Sequence, residues 1–81
     1  MSGVSTRTLA DLGLGRPARI VAVTGAAPLR RRLLEMGVLP GTTIEVVRVA
    51  PMGDPIEVRL RGYALSLRRD AARAIAVEPS S

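Results

Sequence analysis

Few side chains in this chain carry reactive chemistry. The sequence holds no histidine, cysteine, tryptophan or phenylalanine. Without thiols or imidazoles, disulfides, thiolate catalysis and zinc fingers are excluded. The remaining metal-ligating candidates are scattered carboxylates and the thioethers of Met36 and Met52. Asp54 and Glu57 form the nearest carboxylate pair, across a turn. Transition-metal sites want imidazole, thiolate or clustered carboxylates. Asp54 therefore reads as a solvated turn residue and Glu57 as a solvent-facing strand residue, and no tight metal site is expected. All twelve basic residues are arginine, so no phosphate-binding loop with its lysine exists. No nucleophile lies beside a base. The chain reads as a non-catalytic binding module with no cofactor.

What remains is surface. Arg30-Arg31-Arg32 is a charge run, and Arg68-Arg69 is a shorter one. Met52 stands between Pro51 and Pro55 at a dense turn signal, where a flexible apolar side chain either contacts a partner or folds back over the protein. Arg30, Arg31, Met52, Arg68 and Arg69 are the candidate contact residues. The net charge of +5 suits an anionic partner, and a magnitude of about 2–8 also serves solubility alone. Nucleic acid is not expected as the partner, because base stacking needs aromatic platforms and Tyr63 is the one aromatic residue.

These residues need elements to hold them. The stretch from Leu33 to Gly41 predicts the end of a helix, a left-handed stop at Gly37, and a type II turn on Pro40-Gly41. Val38 is expected to pack back on Leu33. Upstream, Pro28 suits the first helical position, and Leu29, Leu33, Leu34 and Met36 are read as one apolar face. So short a helix must dock on a sheet to persist. Strands are expected over residues 16–23, 42–50, 56–61, 64–68 and 74–77, rich in β-branched and alternating residues. A bulge near Val46-Val47 reconciles the broken alternation of the second strand. Residues 8–12 fit a strand or one helical turn, Gly62-Tyr63 fits a turn, and Arg69 to Arg73 a single helical turn.

The fold class is mainly β: a small SH3-like, partly open β-barrel of about five strands with one short inserted helix. An oligonucleotide-binding barrel fits less well, since its helix usually falls between the third and fourth strands. The chain of 81 residues is one domain, taken as a disordered start (1–7), the barrel (8–78) and a tail (79–81). Its core is modest and aliphatic. No run is long enough to span a membrane, and the N-terminus lacks a secretion signal, so a cytoplasmic location is expected. An uncovered sheet edge leaves self-association open.

Four segments in this order resemble the FeoA family: the opening strand from Gly15 to Val23, residues Arg32 to Gly41, Ala50 to Ile56, and Leu67 to Val77. The resemblance covers about residues 8–78. FeoA proteins are small cytoplasmic accessory proteins of bacterial ferrous-iron uptake with an SH3-like fold. The resemblance implies a partner, the FeoB transporter, which imports Fe(II) and carries a cytoplasmic G-protein domain. It implies action through protein–protein contact, peripheral to the membrane through that partner, and no catalytic residues. Arg32 lies in a matching segment and is expected to hydrogen-bond a barrel end. The same domain type occurs as a C-terminal module of metal-dependent repressors, so a metal- or effector-sensing module is the alternative, beside a small basic barrel that binds nucleic acid. With no DNA-binding helices attached, the chain resembles the stand-alone form.

Overall fold

The computed structural model describes residues 7–79. Strands form wherever β-branched and apolar residues alternate: β1 (Arg7–Thr8), β2 (Pro17–Val23), β3 (Thr43–Val49), β4 (Ile56–Leu60), β5 (Tyr63–Leu67) and β6 (Ile75–Pro79). Helix α1 (Ala27–Glu35) follows β2, and the one-turn helix α2 (Arg69–Ala72) precedes β6. A 3-10 turn covers Leu9–Asp11. The six strands make one antiparallel sheet in the order β1-β6-β2-β3-β4-β5. The sheet does not close, so this is a partly open barrel. It has one strand more than the sequence suggests, because β1 is two residues long and is defined only by its pairing with β6. Of the start expected to be disordered, residues 1–6 lie outside the described residues, and Arg7 pairs with Val77. Of the tail, Pro79 ends β6 and residues 80 and 81 are likewise outside.

The centre is built from aliphatic side chains alone, and among the described residues no polar or charged residue is buried. β4 shows how the pattern works: Ile56, Val58 and Leu60 are buried while Glu57 and Arg59 point outward. In β3 the register shifts between Val46 and Arg48, so Val47 is the extra residue of the expected bulge. Past the bulge Val49 faces Ile56. It sits at the outer end of the strand and stays exposed.

Helix α1 begins one residue earlier than the proline suggests, at Ala27. Its apolar face is narrower than expected. Leu33 is buried and Leu29 and Met36 pack against the core, but Leu34 remains exposed. At 3.6 residues per turn, Leu34 lies about 100° round from Leu33, which takes it off the docking face. The helix ends as the sequence predicts. Gly37 adopts φ +93°. The Val38 N–H donates to the Leu33 carbonyl (3.0 Å) and the Gly37 N–H to that of Leu34 (3.0 Å), a Schellman stop. Val38 and Leu33 are both fully buried. The Thr42 N–H then donates to Leu39 (3.1 Å) across the Pro40-Gly41 turn.

The β4–β5 hairpin turns one residue earlier than the sequence suggests. Its two-residue loop is Arg61-Gly62, with φ 53° and 85°, the left-handed pair of a type I′ turn. Tyr63 is therefore the first residue of β5.

Candidate contact cleft beside the open sheet edge

One end of α1 is tied to the start of β5. The Tyr63 hydroxyl donates to the main-chain carbonyl of Met36, the C-cap residue of the helix. Carbonyls in a helix's last turn lack intrahelical partners, and the phenol supplies one. Between α1, β5 and α2 lies a cleft of about 290 Å³. Leu29, Leu33 and Met36 of α1, with Leu67 and Ala71, give it apolar walls. Arg32, Ser66, Arg68 and Asp70 supply its polar groups. Ligand cavities span about 300–1,000 Å³, so this cleft lies at the small end of that range.

Its electrostatics are lopsided. Asp70 is engaged by Arg73 at 2.7 Å. Among the described residues, arginine side-chain bonds are made by Arg19, Arg30, Arg69 and Arg73. Arg32 and Arg68 line the cleft with no such bond. The expected structural bond of Arg32 to the barrel end is therefore absent among those residues, and Arg32 lines the cleft instead.

The five candidate contact residues fall into separate places. Arg68 lines the cleft. Arg69 holds the loop after β3: its guanidinium donates to the Gly53 carbonyl (3.0 Å) and its main-chain N–H to Asp54 Oδ1 (2.9 Å). Asp54 is thus an acceptor for the start of α2, a role beyond the solvated turn residue the sequence suggested. Beside it Met52 is 92% exposed at the loop tip, which rules out its folding back over the protein. Arg30 donates to the Gly25 carbonyl (3.1 Å) before α1, and Arg31 is exposed on the same helix. Neither lines the cleft. Tyr63 and Asp70 also belong to this region, although neither is a contact candidate by sequence. The signal for Tyr63 was its being the one aromatic side chain, placed straight after a turn glycine.

Among the described residues no group of three or more carboxylates, histidines or cysteines is placed to hold a metal ion. No helix among them is long and apolar enough to cross a membrane.

The FeoA domain model matches residues 7–79. A fusion protein of Fe(2+) transport protein A and the Fe(2+) transporter FeoB from Porphyromonas gingivalis is 47% identical over 70 residues, 86% of this chain. The matched stretch is 8% of that relative's length, so the chain spans a small part of it. An NMR structure of a FeoA-like protein from Clostridium acetobutylicum superposes with a TM-score of 0.89 at 36% identity, covering 96% of this chain and 91% of that one. A crystal structure of Stenotrophomonas maltophilia FeoA complexed with zinc, described as a procaryotic SH3 domain protein, matches with a TM-score of 0.78 at 29% identity over 88% of each chain. With the family model running from the first strand to the last and the SH3-like sheet shared throughout, this chain belongs to the FeoA family.

Proposed function

We propose that this chain is a non-catalytic accessory protein of Fe(II) uptake that works in the cytoplasm by contact with the cytoplasmic part of a FeoB-type transporter. One observation carries the reading: a relative at 47% identity is part of a polypeptide fused to FeoB. Fusion keeps two modules at high effective concentration, which benefits partners that touch. The surface supports contact over chemistry. It offers an apolar cleft with two arginines that make no side-chain bond among the described residues, and an exposed methionine on an anchored loop.

The test is direct binding to the G-protein domain of the transporter from the same source, with and without guanine nucleotide, at low and moderate salt. Binding that survives moderate salt and weakens with Met52→Asp or Arg68→Glu is the expected result. Failure to bind either that domain or the full transporter in every nucleotide state overturns the reading. Binding of short DNA or RNA with a steep salt slope would point to the basic-barrel alternative.

A further inference from the structure

Strand β5 is the last in the sheet order and borders the cleft. In a two-residue hairpin the residues flanking the turn, Leu60 and Tyr63, form a hydrogen-bonded pair, and pairs then alternate along the ladder. Tyr63, Leu65 and Leu67 therefore turn their backbone groups toward β4. Ala64 and Ser66 turn theirs outward. Among the described residues, neither makes a backbone hydrogen bond beyond the sheet. Both are exposed. An unpaired strand edge lies beside an apolar cleft flanked by Arg32 and Arg68.

We propose that the β5 edge and this cleft together form a β-addition site for an extended, acidic segment of a partner protein. Main-chain bonds to Ala64 and Ser66 would hold the segment, and an apolar side chain would enter the cleft against Leu33 and Leu67. Carboxylates flanking it would meet Arg32 and Arg68. Such addition draws affinity from main-chain bonds and specificity from side-chain pockets. The charge argues for an acidic occupant, because Asp70 is already matched by Arg73 and the chain carries +5 overall. It argues against a second copy. A second copy would bring the same net positive charge to this edge and nothing acidic for Arg32 and Arg68 to meet.

The inference rests on the contact reading above, and its test is separable from it. The probe is a blocked peptide of alternating valine and glutamate with a central leucine, titrated into the full chain and followed by amide NMR. Shifts at the Ala64 and Ser66 amides, and slowed exchange of both, are expected. Ser66→Pro removes the outward N–H without touching the β4 ladder, a change that strand edges tolerate, and should abolish binding. Arg32→Glu with Arg68→Glu should weaken it about tenfold. A peptide N-methylated at the main-chain positions that would pair with β5, tested on the unaltered chain, gives the same answer should Ser66→Pro fail to fold. No binding at millimolar peptide, or equal binding of the N-methylated peptide, overturns the site. If the transporter binds and these variants leave that binding unchanged, protein contact stands and the β5 site falls.

Discussion

The hydroxyl of Tyr63 donates to the carbonyl of Met36, across 27 residues of sequence. The one aromatic side chain of the molecule thus lies outside the core, as the tie between the end of α1 and the start of β5. Tyr63→Phe keeps the ring and removes the bond. A net hydrogen bond contributes about 0.5–1.5 kcal/mol, and about 1 kcal/mol lowers Tm by roughly 4–8 °C in a domain this size. Thermal unfolding by circular dichroism should show a fall in that range. An unchanged Tm would mean that the bond adds nothing net.

Gly37 and Gly41 separate two effects of adding one methyl group. Both have positive φ, 93° and 90°. A Cβ at Gly41 meets nothing within 4 Å, whereas one at Gly37 collides with the Tyr63 hydroxyl. Gly41→Ala should cost about 1–2 kcal/mol of backbone strain. Gly37→Ala should cost clearly more in urea unfolding. Part of that excess should vanish when Gly37→Ala is made in the Tyr63→Phe background, giving a non-additive cycle.

Exposure should divide stability from binding. Met52 is 92% exposed, so Met52→Asp should leave the urea midpoint nearly unchanged, within about 0.5 kcal/mol. Leu33 is fully buried and faces the cleft floor. Leu33→Ala should cost about 2–5 kcal/mol, most of the margin of so small a domain. A large loss from Met52→Asp would contradict the loop position described here.

Arg61 is the one non-glycine residue among those described with positive φ. Its place is the first central position of a type I′ turn, where asparagine and glycine are favoured. Arg61→Asn should stabilise the chain by about 0.5–1 kcal/mol. Equilibrium urea unfolding decides the sign.

These contrasts also show what a linear sequence can reveal. The helix stop from Leu33 to Gly41 was legible because each bond in it joins neighbours, and each residue type has one conformational use there. The β3 bulge was legible because two valines in succession cannot both face inward on a regular strand. The Arg61-Gly62 turn was misplaced by one residue, since arginine carries no left-handed signal and the glycine drew the turn toward Tyr63. Leu34 is read as inward on residue type, but it sits about 100° round the helix from Leu33, and only Leu29, Leu33 and Met36 meet the core. β1 exists through its bonds to Val77 and Ala76, a partner about 70 residues away. The cleft was the least legible part. Its walls come from α1, β5 and α2, and the part Arg32 plays there depends on how those elements meet.

The wholly aliphatic core also has a chemical consequence. Among the described residues, the fully buried side chains hold no sulfur, imidazole or aromatic ring, the groups that peroxide and radicals attack most readily. Methionine is converted to its sulfoxide according to exposure, and Met52 lies open to solvent. Oxidation should therefore mark Met52 on the outer loop before the half-buried Met36, which packs against the core, so a molecule could keep its fold after the tip of that loop had changed polarity.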